Sequence, residues 1–338
     1  MRTVTLSLAL SLSFLLVDTQ AQTTFVDDAG RSVALPARVD RIVAAGAPAE
    51  VLLYTLAPDK LAARNRVPEG AALEFFPSRY RTPTLIRQLP EFDNPAADAE
   101  LVALKPDLYV DYGTVSADYI ESVEAVQRRT RVPGIILDGA MSRIPAAYRR
   151  LGTALGMTTR GEQLAAAAER IVAKYRNSLA STSAPLRVYL ACSPDGARPC
   201  LADDSAGEQL AVLGAVNVAG TRATAPARPL SVAEIKALSP DVIVMTGPDG
   251  TAAKLRADKS WQSIEAVAKG RVHQFPGLPY SWGARPPSVN RLAGVIWMAY
   301  VLPGRALDAA FFDDVRGFFR DFYHLELTDE QIRRLAAS

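Results

Sequence analysis

The stretch GLPYSWGARPP, residues 277–287, concentrates the side chains best suited to holding a small charged molecule. Tyr280, Trp282 and Arg285 put two aromatic faces and a permanent positive charge within six residues, on a segment that Gly283 and the nearby prolines keep out of a helix. Aromatic rings cover the apolar part of a chelate or macrocycle, and a guanidinium grips a carboxylate or oxyanion through two parallel hydrogen bonds. That mixture fits an anionic ferric chelate. The competing reading packs Trp282 inside a domain and spends Arg285 on a surface ion pair. A second basic group, Arg64, Arg66, Arg79, Arg81 and Arg87, is interleaved with Phe75, Phe76 and Tyr80. Arg66 and Arg81 are its candidates for contact with a negative ligand, against the alternative that all five are solvated.

Other chemistries find little support. There is no G-x-S-x-G elbow, no H-E-x-x-H helix and no phosphate-binding glycine loop. Asp138, Asp195 and Asp203 offer carboxylates, but nothing in the sequence brings two of them together as an acid and a base. No catalytic residue is assigned, and a periplasmic hydrolase is the weaker reading. Direct capture of Zn²⁺ or Mn²⁺ needs several histidines and carboxylates converging on the ion, and the chain has two histidines, His273 and His324. No metal-ligating residue and no cofactor are expected, a ferric chelate being ligand rather than cofactor. The two cysteines, Cys192 and Cys200, enclose the turn-forming segment SPDGARP, so an oxidising compartment favours a disulfide between them.

The elements that must position these residues alternate. RIVAAG (41–46), LYVDYG (108–113) and PGIILDG (133–139) read as buried strands, with helices over 47–57 and 116–130 between them. The pattern returns in LRVYLAC (186–192), DVIVMTG (241–247) and RVHQFPG (271–277), with helices over 207–214 and 288–302. ELVALKPDLYV (100–110) and EIKALSPDVIV (234–244) repeat one unit: a glutamate opens a short helix, Pro-Asp stops it, and an apolar strand follows. Two α/β lobes with mainly parallel, helix-covered sheets are implied. Between them TTRGEQLAAAAERIVAKYRNSLAS (158–181) reads as one long helix, capped by Thr158 or Thr159, of about 35 Å at about 1.5 Å per residue. The expected division is a leader over 1–21, a first lobe over 22–157, the joining helix over 158–183 and a second lobe over 184–338. One continuous helix limits the lobes to small rotations, so the cleft is expected to be largely pre-formed. In open parallel sheets ligands lie beyond the carboxyl ends of the strands, which adds Ala47, Pro48, Tyr112 and Asp195 to the candidates.

The first residues place Arg2 ahead of an apolar run from Val4 to Val17 that closes in small residues at Ala21, the pattern of a cleaved export signal. No cysteine follows it, so a periplasmic protein without a lipid anchor is expected. Losing 1–21 removes one base, Arg2, and one acid, Asp18, and leaves the formal charge at +2. So small a charge argues against a nucleic-acid partner.

In order and spacing these pieces resemble the periplasmic binding proteins for ferric siderophores, haem and cobalamin, whose two α/β lobes are joined by one long helix. The opening TTFVDDAGRSVALPARVDRIVAAG, then APAEVLLYTL, ELVALKPDLYV, LGAVNVAG, VAEIKALSPDVIV and SWQSIEAVAKGRVHQFPG follow that family's sequence. The resemblance implies the class III periplasmic binding fold and a monomer that delivers its solute to the membrane permease of an ABC importer. It implies a ferric siderophore as solute, with cobalamin, haem or a molybdate-like oxyanion as alternatives. It also implies one docking glutamate per lobe. Glu50 matches the first position; the second holds Ala211, with Glu208 one helical turn earlier as its substitute. Glu50 has the competing reading of a solvated acid in a first turn.

Overall fold

A computed structural model describes residues 22–64, 69–81, 95–180, 184–226 and 228–337. The expected leader, together with Arg66 and Arg87, lies outside them. The chain opens with an antiparallel hairpin, β1 (Gln22–Val26) and β2 (Ser32–Pro36). It then lays down β3 (Ile42–Ala44), α1 (Ala47–Leu56), α2 (Pro95–Ala103), β4 (Leu108–Gly113), α3 (Ala117–Thr130), β5 (Gly134–Asp138) and α4 (Ile144–Ala154). The three strands form a parallel sheet in the order β3-β4-β5. Their residues are buried almost without interruption, as a sheet covered on both faces requires.

After α5 (Thr158–Tyr175) the second lobe repeats the plan. It comprises β6 (Arg187–Ala191), α6 (Glu208–Leu213), β7 (Val216–Asn217), α7 (Val232–Ala237), β8 (Val242–Met245), α8 (Thr251–Ala257), α9 (Glu265–Ala268), β9 (Val272–Gln274) and α10 (Arg291–Val301). Its parallel sheet runs β7-β6-β8-β9. Two last helices follow, α11 (Ala309–Tyr323), capped by the Asp308 carboxylate, and α12 (Asp329–Ala336), opened by a Thr328 and Gln331 capping box.

The repeated sequence unit is a repeated corner. In each copy the residue before the proline, Lys105 or Ser239, has a left-handed backbone (φ 48° and 46°) that ends the helix. The aspartate after the proline then ties down the neighbouring strand. Asp107 accepts the Asp40 and Arg41 N–H groups at 2.8 Å, and Asp241 accepts the Arg187 N–H at 2.9 Å. The strand-leading arginine returns the contact: Arg41 donates to the Leu104 carbonyl, and Arg187 to those of Leu238 and Ser239.

The joining helix is shorter than the sequence suggests. It ends at Tyr175, giving about 27 Å rather than about 35 Å. Asn177 turns left-handed, and the N–H groups of Asn177 and Leu179 leave the helical ladder for the Val212 and Leu213 carbonyls at the end of α6. No threonine side chain caps its start; Met157 occupies the cap position. α5 lies along α4, where Gly152 and Gly161 let the backbones touch, and also meets α10 and α11. One apolar core runs through both lobes, from Ile42, Leu108 and Leu137 to Val188, Val242 and Trp297. The chain's end reaches back across it: α11 packs on both α10 and α1, and the Tyr54 hydroxyl donates to the Tyr323 carbonyl. α11 thus packs against elements of both lobes.

Candidate ligand-binding cleft

Beyond the carboxyl ends of the strands a cleft of about 440 Å³ opens, lined by Ala47 and Glu50 of α1 and by Tyr280, Ala284, Arg285, Pro286 and Pro287. Its second-lobe wall is held in one shape from below. Gln209 donates to the Gly283 carbonyl at 2.9 Å, and Asn290 donates to the carbonyls of Ser281 and Pro286. Trp282 donates its ring N–H to the Leu278 carbonyl and its backbone N–H to the Pro276 carbonyl, both at 2.9 Å. A loop whose carbonyls are this fully engaged is pre-organised rather than shaped by its ligand. The first-lobe wall is the start of α1, where Gly46 caps without a side-chain bond and Pro48 sits in the first turn.

Arg285 is exposed and donates to the Cys192 carbonyl at 2.9 Å. Among the described residues it meets no carboxylate at ion-pair distance, so its charge is left for the cleft. The carbonyl it leans on belongs to a loop closed by the Cys192 and Cys200 disulfide. Tyr280 is half-buried, and its hydroxyl oxygen accepts from Arg64 Nη2 at 2.8 Å. Arg64 is itself buried, over the rings of Tyr54 and Phe76 at 5.2 and 4.9 Å, with its Nε on Glu50 at 2.8 Å. A buried guanidinium of this kind persists because a carboxylate and several acceptors compensate it.

The sequence candidates therefore separate. Ala47, Tyr280 and Arg285 come together at the cleft, and Pro48 stands beside Ala47 with its carbonyl accepting from the Ser288 hydroxyl at 2.9 Å. Trp282 does not: it is 1% exposed and packs in the core near Phe319, the competing reading. Tyr112 is fully buried, its side chain turned to the interior face of β4, where burial pushes its hydroxyl up to about 12. Asp195 is exposed, yet its carboxylate is taken by the Ser193 hydroxyl at 2.5 Å and the Ala197 N–H at 3.1 Å, which close its own loop. The Ser193 bond leads the effects that hold its carboxyl below the usual range. Arg81 is exposed and donates Nε to the Phe76 carbonyl at 2.8 Å.

Of the two expected docking glutamates, Glu50 faces inward, whereas Glu208 is partly exposed though bonded on one oxygen. Glu50 is 2% exposed and committed to Arg64, which lies fourteen residues on and folds over it. Glu208 accepts from the Met141 N–H at 2.8 Å and from Arg291 Nη1 at 2.7 Å, at the seam between the lobes. Arg291, Gln209 and Asn290 were not among the sequence candidates. The lone charge of Arg291 within the apolar run VNRLAGVIWMAYV was the available signal, because an arginine there must be buried and paired. Among the described residues no group of three or more histidine, cysteine or acidic side chains could hold a metal, and no helix is long and apolar enough to cross a membrane.

A family profile described as periplasmic binding protein matches residues 98–277, and the chain belongs to that family. It is thus a solute-binding component that works with an ABC permease, and not an enzyme. An ABC transporter solute binding protein from Sulfurospirillum deleyianum is similar in structure, with a TM-score of 0.80 at 21% identity over 92% of this chain and 98% of that one. A periplasmic solute binding protein from Veillonella parvula gives 0.71 at 21% identity, over 93% and 97%. The molybdate periplasmic binding protein of a Haemophilus influenzae ABC transporter, bound to molybdate, gives 0.70 at 18% identity, over 90% and 99%. These likenesses establish the two-lobe fold. No curated protein matches the sequence.

Proposed function

We propose that this protein captures an anionic iron chelate of the siderophore class in the periplasm, after export by a cleaved leader, and hands it to the permease of its importer. The observation that carries this reading is Arg285, a cation with no carboxylate partner among the described residues, on a cleft whose remaining walls are largely apolar. A cation selects an anion, and walls made of Ala47, Ala284, Pro286 and Pro287 favour a ligand that also brings apolar surface. A ferric complex of a catecholate or carboxylate ligand has both. Molybdate is the competing solute, since the Haemophilus protein of like fold holds it and the same guanidinium beside a helix start suits an oxyanion.

Tryptophan fluorescence reports on the choice, because the Trp282 ring is bonded to the segment that carries Tyr280 and Arg285. Titration with a ferric triscatecholate should change the emission, and Arg285→Ala should weaken binding about 10- to 100-fold, the worth of a charge-assisted bond. Saturation by molybdate with no response to ferric chelates would transfer the reading to the oxyanion. An unaltered affinity in Arg285→Ala would remove that residue from the site.

A further inference from the structure

The seam between the lobes holds one charged group that the capture of a solute does not itself require. Arg291, the first residue of α10, is fully buried. Its guanidinium reaches four oxygens. Nε donates to the Ser288 carbonyl at 3.0 Å, Nη1 to the Ser205 carbonyl at 3.3 Å and to Glu208 Oε2 at 2.7 Å, and Nη2 to the Gly139 carbonyl at 2.6 Å. Gly139 belongs to the first lobe and the other three to the second. The same Glu208 oxygen accepts from the N–H of Met141, again in the first lobe, at 2.8 Å. One guanidinium and one carboxylate oxygen therefore each bond to both lobes.

What they join is stiff on either side. Gly139 continues β5 and donates its N–H to the Gly113 carbonyl at 2.8 Å, so close to the end of β4 that a Cβ would stand 2.8 Å from the Gly113 Cα. Arg291 begins a helix buried along its length in the second lobe. Elsewhere the lobes meet through apolar side chains of the shared core, whose contact is strong but without direction, and, at the cleft rim, through the single bonds from Arg64 to the Tyr280 hydroxyl and from the Ser288 hydroxyl to the Pro48 carbonyl. A planar guanidinium with fixed donor directions is the opposite: it bonds fully at one relative orientation of its acceptors and loses bonds at others.

We propose that Arg291 is a positioning residue that sets the angle between the two lobes, acting through Glu208 and the backbone at Gly139, and so fixes the width of the cleft before any solute arrives. This goes beyond the identity of the solute and does not depend on it.

Spin labels on Val102→Cys in α2 and Val216→Cys in β7, exposed positions in the first and second lobes, measure the separation by pulsed electron resonance in ligand-free, full-length protein. With Arg291 intact one narrow distance is expected. Arg291→Lys keeps the charge but not the fork, and should broaden the distribution about twofold or shift its centre. Glu208→Gln should produce a smaller broadening. A residue that merely supported the fold would lower the melting temperature and leave the distance unmoved, so an unchanged distribution in both variants overturns the proposal. If Arg291→Lys does not fold, Glu208→Gln decides, and an unchanged width there overturns it equally.

Discussion

At the amino ends of their strands the two lobes share one corner, Arg41 with Asp107 in the first and Arg187 with Asp241 in the second, down to the left-handed residue before each proline. At the carboxyl ends the likeness stops. The first sheet finishes in Gly113 and Gly139, pressed backbone to backbone, whereas the second gives way to a disulfide-closed loop after β6 and to the rigid segment that bears Tyr280 and Arg285. The corner repeats because each sheet needs its strands started in register, a requirement that is the same for both. The opposite ends answer to the ligand, and a ligand is not symmetric.

The largest expected effect tests whether the carboxyl ends are held by close packing. Gly294 of α10 lies against the Trp282 carbonyl and Gln209, where a Cβ would collide with both, so Gly294→Ala should cost about 3 kcal/mol in urea unfolding. In the first lobe Gly139→Ala meets only the Gly113 backbone and should cost about 2 kcal/mol. A silent Gly294→Ala would mean that the Arg285 segment is not positioned from α10 at all. The next effect weighs the shared corners. Asp107 accepts two N–H groups and Asp241 one, so Asp107→Ala should cost about 2 kcal/mol and Asp241→Ala about 1 kcal/mol. Equal losses would break the view that the corners differ only in the number of bonds.

The smallest effect is a difference in acid response. Burial lowers the half-buried His273 of β9 from 6.5 to about 4. A depressed folded-state value means full stability above 6.5, lost progressively as pH falls toward 4, because the unfolded chain then binds the extra proton. In the first lobe Asp111 of β4 runs the other way: burial raises its carboxyl, so its contribution is greatest below the ordinary carboxylate range and is lost as pH rises through the folded value. His273→Gln should flatten the fall in melting temperature between pH 6.5 and 4. Asp111→Asn should raise stability at neutral pH. An unchanged acid profile in His273→Gln would remove the histidine from this response, and no gain at neutral pH in Asp111→Asn would remove the aspartate.

Element types were legible in the sequence because apolar runs bounded by Pro-Asp or glycine have one reading, and most strands and helices lie where their patterns put them. The end of α5 was not: Asn177 is the one local stop in a run that otherwise continues the helical pattern, and the residues after it are drawn off by bonds to α6, thirty-odd positions away. At the cleft, residue types were legible and directions were not. Nothing periodic in GLPYSWGARPP says that Trp282 turns inward while Arg285 turns out, and Tyr112 faces a side of its sheet that only the packing decides. Glu50 has the look of a solvated first-turn acid until Arg64 folds across it.

The return of α11 and α12 to α1 bears on the order in which the molecule can be made. α1 is among the first elements to be synthesised, and most of its residues are buried. Part of their cover is Tyr323 and its neighbours, 269 residues further along the chain from Tyr54. The first lobe thus cannot complete its own interior without that distant segment. Contacts of such long sequence separation close late in folding, because a long loop must be ordered before they can form.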